Sequence, residues 1–261
     1  MNALQIAASG MSAQQMKVDV VSNNLANMST TAYNARRADF ADLMYQQVQK
    51  PGMISSEGGT MLPTGVQLGM GVRPASVSVI LQQGVLSETG GDLDLAVQGK
   101  GYLEVTLPSG ETAYTRDGGL NRTADGLIVT SDGYQVNPGI TIPSDAKSIA
   151  INADGEVYAF FEGQIDPTQL GQFTLAIFSN EKGLEATGSN LFLESAASGP
   201  PMEGAAGSQG FGVLRQGYLE SSSVDSVQEI TELIKAQRGY ELNAKVITAV
   251  DQMMAATTQV K

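Results

Sequence analysis

The chain has 261 residues, of which 42% are hydrophobic and 16% charged, so it can bury a sizeable core and is not a disordered chain. It contains no cysteine, histidine or tryptophan, and the first two absences exclude disulfides, the usual metal ligands and the commonest general base. The net charge of −12 argues against nucleic acid as a partner, because phosphates attract basic surfaces. We therefore expect no cofactor, no metal ion and no catalytic activity.

The charge is distributed unevenly along the chain. Residues 1–45 carry three basic and three acidic side chains, and residues 215–261 carry five and six. The residues between them carry seven basic and eighteen acidic side chains. This distribution favours ends that pack together and a middle that stays solvated.

A heptad pattern occupies the first segment. Positions at alternating spacings of three and four are apolar, and Gln14 alone interrupts them. They are Leu4, Ala7, Met11, Gln14, Val18, Val21, Leu25 and Met28. The pattern predicts a coiled-coil-like helix that ends near Ser29. The segment has neither a basic start nor a long apolar run, so we do not expect a cleaved signal peptide.

The middle of the chain is predicted to be a β-rich domain. Residues 46–72 and 195–212 are rich in glycine and are predicted linkers. Asp-Gly pairs begin at residues 117, 125, 132 and 154 and predict turns between short strands. The predicted strands are residues 77–81, 93–97, 102–105, 127–129, 149–151, 157–160 and 173–178. The expected domain is sandwich-like or an irregular barrel.

The last segment is predicted to be a helix with Ser223 or Asp225 as its N-cap. Two adjoining stripes follow helical spacing. One stripe is Gly239, Leu242, Val246, Ala249, Met253, Ala256 and Val260. The other is Leu233, Ala236, Tyr240, Asn243, Ile247, Val250 and Met254. A single partner helix would need one stripe, so two stripes indicate contacts with more than one helix.

Three of these features allow other interpretations. The Asp-Gly pairs lack the remaining ligands of a calcium loop, so turns are favoured. The pairs Asp92 with Asp94, and Glu104 with Glu111, could be the carboxylates of a carbohydrate-active enzyme on a β scaffold. An acidic solvated surface is the favoured interpretation. The main alternative to polymerisation is a helical hairpin within one chain.

Short motifs at both ends and in the middle resemble those of flagellar rod and hook proteins. At the N-terminal end the motif runs from Ser22 to Asn27. At the C-terminal end the motifs are residues 219–224 and 237–243, where Gly239 stands in place of the family's usual alanine. In the middle they are residues 114–118 and 125–130. The length and the segment 51–72 resemble the distal-rod members of the family.

The resemblance implies an α+β chain in which long N- and C-terminal helices flank an all-β central domain. The expected domains are a helical terminal domain of residues 1–45 with 215–261, a stiffening linker of residues 46–72 and an outer β domain of residues 73–214. The implied function is a structural subunit that self-assembles into the distal rod and transmits torque from the motor to the hook. A proximal-rod or hook subunit is the alternative within the family.

The resemblance also implies a place and partners. The rod crosses the periplasm within the flagellar basal body, and its subunits are exported by the flagellar type III apparatus without signal cleavage. Implied partners are further copies of the chain, proximal-rod and hook proteins, and the surrounding periplasmic and outer-membrane rings. The predicted self-assembly residues are Leu4, Met11, Val18, Val21, Asn23, Asn24, Leu25, Asn27, Leu233, Tyr240, Leu242, Val246, Ile247, Val250, Met253 and Met254.

Overall fold

The computed structural model describes residues 2–49, 64–163 and 166–259. Within these residues there are two α-helices, α1 (Asn2–Ala26) and α2 (Ser226–Gln259), and one 3-10 helix (Glu181–Gly183). The strands of the same residues are β1 (Arg36–Asp42), β2 (Tyr45–Gln49), β3 (Val66–Gly69), β4 (Val72–Val79), β5 (Leu86–Glu88), β6 (Leu95–Gln98), β7 (Tyr102–Thr106), β8 (Thr112–Thr115), β9 (Leu120–Arg122), β10 (Ile128–Thr130), β11 (Gln135–Val136), β12 (Ala146–Ile151), β13 (Glu156–Phe161), β14 (Thr168–Gln172), β15 (Thr174–Ile177), β16 (Glu185–Gly188), β17 (Leu191–Leu193), β18 (Met202–Ala205), β19 (Val213–Gln216) and β20 (Tyr218–Glu220).

The predicted α+β class is confirmed, with a helix at each end and strands between them. The first helix ends at Ala26, slightly earlier than predicted. No helix in the described part of the chain combines the length and apolar character needed to cross a membrane.

The chain forms two compact units. Unit 1 comprises Met1–Ala26, Arg36–Ser78 and Asp225–Lys261, and unit 2 comprises Asn27–Ala35 and Val79–Val224. Unit 1 has nine basic and nine acidic residues, whereas unit 2 has six and eighteen. The whole net charge of the chain therefore lies in unit 2.

The segment predicted as a linker contains regular structure at its ends. Strands β2 and β3 pair antiparallel, with Tyr45 opposite Gly69. Residues 50–63, within the predicted linker, lie outside the described residues. Strand β1, inside the range expected to be helical, pairs with β4. The predicted domain boundaries stay a prediction, and the two compact units divide the chain at different residues.

Unit 2 is built on a nine-stranded sheet. Its strands follow the order β16-β17-β8-β7-β11-β10-β9, and β15 joins β7 and carries β18 on its other side. A three-stranded sheet, β12-β13-β14, and the pairs β19-β6 and β20-β5 complete the β structure. The main core consists of Leu95, Val97, Leu103, Leu120, Ile128, Val136, Ile140, Ile142, Ile151, Val157, Phe173, Leu175, Ala206 and Leu214.

Three of the four Asp-Gly pairs form the predicted hairpin turns. Gly126, Gly133 and Gly155 have φ angles of +85°, +86° and +84°, values that favour glycine. These turns join β9 to β10, β10 to β11 and β12 to β13. The fourth pair differs, because the Asp117 carboxylate caps its own turn by accepting the Gly119 N–H at 3.0 Å.

Gly118 is required by close packing. A β-carbon at this position would overlap the carbonyl oxygen of Leu95. This oxygen belongs to the backbone, so it cannot move aside as the end of a flexible side chain could. We expect Gly118→Ala to lower the free energy of unfolding of unit 2 by about 3 kcal/mol or more. Gly119→Ala is the matched control, since its β-carbon would meet only side-chain atoms, Asp117 Oδ1 at 3.3 Å and Ser131 Oγ at 3.9 Å. Urea unfolding of both variants checks the prediction, and equal losses would contradict it.

Candidate self-assembly surface

Helix α2 starts at a side-chain cap. The Asp225 carboxylate accepts the N–H groups of Val227 and Gln228 at 2.9 and 3.2 Å. Ser223, the other predicted cap, instead accepts the Ala35 N–H at 3.0 Å. Asp225 is therefore the N-cap, and it fixes where α2 begins.

Helices α1 and α2 pack antiparallel. A β-carbon at Gly10 would lie 2.9 Å from Asn243 Nδ2, and one at Gly239 would lie 3.0 Å from Gln14 Cδ. Gln14, which interrupts the apolar series of α1, thus lies against a residue without a side chain. A side chain at position 239 would crowd Gln14, so this contact favours glycine there. The two helices therefore form a hairpin within one chain.

Asn24 joins three elements of unit 1. Its side chain is 1% exposed. Nδ2 donates to the Arg36 carbonyl at 2.8 Å and to Glu229 Oε1 at 3.0 Å, and Oδ1 accepts the Arg36 N–H at 2.9 Å. Burial raises the pKa of Glu229 above its usual value, although the Asn24 bond opposes the shift. Asn24, predicted as an assembly residue, thus also ties α1 to β1 and to the first turns of α2.

An ion-pair network also links the two helices. Lys17 Nζ lies 2.6 Å from Glu232 Oε2, and Lys235 Nζ lies 2.7 Å from Glu232 Oε1. Hydrogen bonds from Lys17 and then Lys235 lower the pKa of Glu232 to about 2. Because the folded pKa is depressed, the stabilisation is lost as the pH falls towards that value. The side chains are partly exposed, so the network contributes only about 0.5 kcal/mol.

The two apolar stripes of α2 differ in exposure. In the stripe that begins at Leu233, Ala236 is buried and Leu233, Ile247 and Val250 are half-buried. In the other stripe, Leu242 is 63% exposed and Val246 and Met253 are also exposed. The hairpin therefore covers most of the stripe that begins at Leu233, except Tyr240 and Met254, and leaves the large side chains of the other stripe open to solvent.

The exposed stripe extends further towards the N-terminal end of α2 than predicted. Val227 is 72% exposed, and Ile230 and Ile234 are also exposed. The helical spacing could have revealed these residues, but Arg238 separates them from Leu242 and hides the continuity. We define the outer face of α2 as the five exposed residues Val227, Ile230, Ile234, Leu242 and Val246.

The structure places the remaining predicted residues as follows. On α1, Val21 is buried, Asn23 is exposed, and Leu4, Met11, Val18 and Leu25 are half-buried. Tyr240 and Met254 on α2 are exposed. Asn27 follows α1 and belongs to unit 2. The structure thus brings most of the predicted set together on one helix pair, and its role between copies of the chain stays a prediction.

Three of the candidate catalytic carboxylates, Glu104, Glu111 and Asp94, each accept a hydrogen bond from a different side chain. Glu104 lies opposite Tyr114 in the sheet, whereas Glu111 lies in the turn after β7 and accepts a hydrogen bond from Ser109. The Asp94 carboxylate accepts the Thr89 hydroxyl. Among the described residues, no group of three or more acidic side chains is placed to hold a metal ion.

Glu104 is buried with one oxygen unpaired. The residue is 5% exposed, Oε1 has no hydrogen-bond partner, and Asn137 Nδ2 donates to Oε2 at 3.4 Å. Burial raises the pKa of Glu104, and the charge of Glu203 acts in the same direction. The ionised carboxylate is therefore unfavourable in the folded state.

Glu104→Gln is expected to raise the stability of unit 2 at pH 7. A raised folded pKa means that the wild-type chain gains stability as the pH falls through that pKa, and the variant lacks this gain. The advantage of the variant should therefore shrink between pH 7 and about pH 4. Urea unfolding at several pH values measures it, with Glu111→Gln as the exposed control. A constant difference across this range would contradict the prediction.

The sequence matches three family models. They are the flagellar hook protein FlgE/F/G D1 domain over residues 96–159, the C-terminal model of the flagellar basal body rod FlgEFG protein over residues 215–260, and the flagella basal body rod protein over residues 4–33. The two terminal matches cover most of α1 and α2.

Curated relatives match along the whole chain. The flagellar basal-body rod protein FlgG of Caulobacter vibrioides is 54% identical over 261 residues, covering 100% of both chains. The protein of the same name from Agrobacterium fabrum is 46% identical, covering 99% of both. That of Bacillus subtilis is 37% identical, covering 100% of this chain and 99% of its own. Identity of this extent shows that the chain belongs to the flagellar basal-body rod protein family.

Proposed function

We propose that the chain polymerises into the distal rod of the flagellar basal body, a shaft that transmits torque from the motor to the hook. The observation that carries the proposal is the outer face of α2. Its five large apolar side chains are exposed although α1 already covers the opposite side of the helix. Burying each such side chain against a neighbouring copy contributes about 1.5–3 kcal/mol.

Charge favours the same contact. Unit 1 is neutral overall, whereas unit 2 has twelve more acidic than basic residues. Contacts between the units 2 of two copies would bring like charges together, and contacts through unit 1 avoid this repulsion. When one surface contacts a different surface of the next copy and the rotation between copies does not close a ring, the contact repeats along an open helix, as a rod requires.

A proximal-rod or hook subunit is the alternative within the family. The relatives from Caulobacter vibrioides and Agrobacterium fabrum, which match over the full length, are named FlgG rod proteins, and this favours the distal rod. On this proposal, the partners are further copies of the chain, the proximal-rod and hook proteins, the surrounding rings and the type III export apparatus. The proposal assigns no catalytic step to the chain. It would be contradicted if the chain hydrolysed glycans and the double variant Asp92→Asn with Asp94→Asn abolished this activity.

Electron microscopy of the purified chain at rising concentration tests the proposal. Rods or tubes that form above a threshold concentration would support polymerisation. Monomers that persist at every concentration would contradict it. Sedimentation of the same samples measures the threshold, which the variants below are expected to shift.

We propose further that residues 46–72 stiffen the rod by lying against neighbouring copies. The β2-β3 ribbon is two-stranded, and Val48, Val66 and Leu68 on it are exposed. An isolated two-stranded ribbon is at best marginally stable in water, so contacts that cover these side chains would stabilise it.

Shortening this ribbon is expected to give curved or more flexible rods. Tyr45 and Gly69 are paired, so residues 46–68 can be replaced by an Asn-Gly turn that closes the ribbon. The control replaces residues 50–63 with a glycine-serine segment of equal length and keeps both strands. Straight rods from the shortened chain, measured as persistence length in micrographs, would refute the stiffening role.

A further inference from the structure

The chain passes between the two units four times, after residues 26, 35, 78 and 224. Three segments of unit 2 are therefore covalently joined to unit 1. We call residues 27–35, 79–85 and 217–224 the connecting segments. The first segment follows α1, the second begins at the last residue of β4, and the third precedes α2. Any load that passes along the chain into unit 2 enters through these segments.

The connecting segments are hydrogen-bonded to one another. Segment 27–35 bonds to segment 217–224 three times, and segment 79–85 bonds to each of the other two. The backbone bonds are Ala32 N–H to Glu220 O at 2.8 Å, Ser223 N–H to Tyr33 O at 3.0 Å, Ile80 N–H to Ala35 O at 2.8 Å and Ser221 N–H to Val85 O at 2.9 Å. The Ala35 N–H also donates to Ser223 Oγ.

A buried ion pair lies at the centre of these segments. Glu220 and Arg116 are 3% and 8% exposed. Glu220 Oε1 accepts the Gly84 N–H at 3.0 Å, and Oε2 accepts Arg116 Nε at 3.1 Å. One carboxylate thus bonds a second connecting segment and the guanidinium at the same time. A β-carbon at Gly84 would overlap the Ser221 carbonyl, so the two segments are in close contact.

Arg116, which follows β8 of the nine-stranded sheet, also ties this cluster to the end of β6. Its two terminal nitrogens donate to the carbonyls of Val97, Gly99 and Gly101, each at 3.1 Å. These carbonyls lie at and after the end of β6, and Arg116 follows β8. The planar fork of arginine can bind a carboxylate and several carbonyls together, whereas a lysine ammonium cannot reproduce this geometry.

We propose that Arg116 and Glu220 form a clamp that holds the three connecting segments together on the sheet, so that load entering unit 2 is shared among them. A buried ion pair is weak as a source of net stability, because desolvation offsets its attraction. The many hydrogen bonds of this pair are better explained by a role in fixing the positions of several backbone segments than by a contribution to net stability. The sharing of load rests on the proposed function, because a rod transmits torque. The existence of the clamp does not depend on the proposed function.

Arg116→Lys tests the clamp. A cavity of about 340 Å³ beside Arg116 leaves room for the side chains to adjust, so the variant is expected to fold. Hydrogen exchange of the monomer should be about ten to a hundred times faster at the amides of Ala32, Ile80 and Ser223 together. Amides inside the main sheet, such as Leu175, should keep their wild-type rates.

Arg122→Lys is the matched control, since Arg122 is exposed on β9. It should leave all of these exchange rates unchanged. Acceleration confined to one connecting segment, or equal acceleration throughout unit 2, would overturn the clamp. Glu220→Gln should reproduce the effect of Arg116→Lys, because it keeps the size of the side chain and removes its charge.

Rods formed by Arg116→Lys should have a shorter persistence length than those of the wild type and of Arg122→Lys. Equal persistence lengths for the three kinds of rod would overturn the sharing of load. Failure of the wild-type chain to form rods would instead contradict the proposed function. In that case the exchange measurement on the monomer would still decide whether the clamp exists.

Discussion

Leu242→Asp is expected to raise the concentration at which rods form at least about a hundredfold, because every contact between copies would lose a buried apolar side chain and gain a charge. Leu242 is 63% exposed on the outer face of α2, so the substitution disturbs little of the packing within the single chain. Sedimentation and electron microscopy at rising concentration measure the shift.

The monomer provides the necessary comparison. Both described α-helices lie in unit 1, so far-ultraviolet circular dichroism reports on the helix pair. Leu242→Asp should change the free energy of unfolding of this pair by less than about 0.5 kcal/mol. Thr248→Asp introduces the same charge six residues further along α2 without removing an apolar side chain of the outer face, and it should polymerise nearly as the wild type does.

Two outcomes would contradict the assembly surface. Rods of Leu242→Asp at wild-type concentrations would show that the outer face does not contact neighbouring copies. Equal failure of Thr248→Asp would show that any added negative charge on α2 blocks assembly, so that Leu242 has no special role.

Asn24→Asp is expected to lower the free energy of unfolding of the helix pair by about 3 kcal/mol at pH 7. The substitution removes both donors of Nδ2, so the Arg36 carbonyl loses its bond from this side chain. It also places a second carboxylate beside Glu229, which is already partly buried.

The loss should be smaller at acid pH. Burial raises the pKa of Glu229, so protonation of either carboxyl relieves the repulsion as the pH falls through that raised pKa. Unfolding in urea at pH 7 and at about pH 4 measures the difference. Ser22→Asp, at an exposed position of the same helix turn, adds the same charge as the control and should cost less than about 0.5 kcal/mol. Equal losses at both positions would contradict the role of Asn24.

Periodicity predicted the helices well because each has one side covered by the other. The heptad series of α1 follows the side that packs on α2. It did not reveal which stripe of α2 faces α1, because both stripes are apolar and only the tertiary contact distinguishes them. The pairing of Gln14 with Gly239 was equally hidden, since each residue by itself is only an exception to a pattern.

Strands β1, β2 and β3 of unit 1 were missed for a different reason, and only the end of β4, residues 77–79, falls within the predicted strand 77–81. Strand β1 reads RRADFAD and β4 reads VRPASVSV, and neither alternates cleanly between apolar and polar residues. Most residues of β1 are half-buried and most residues of β4 are exposed, so burial imposes little pattern on either strand. The core strands of unit 2, such as β7 and β15, are buried and apolar and were predicted close to their observed bounds.

The polar residues that organise the structure could be located but not interpreted. Asn24 and Arg116 both fall in motifs shared with the family, yet the sequence does not say which backbone groups they bind. Their partners, Arg36 and Glu229 for Asn24 and Glu220 for Arg116, come from distant parts of the chain. Such contacts depend on the fold as a whole rather than on local spacing.

The confinement of net charge to unit 2 has a consequence for any polymer of this chain. Each added copy contributes twelve negative charges, so the polymer is a polyelectrolyte surrounded by a cloud of small cations. The cloud extends about 10 Å at 0.1 M salt and contracts as salt is added. Ionic strength therefore acts on how readily copies add to a growing end, even though the apolar contacts proposed to join them carry no charge.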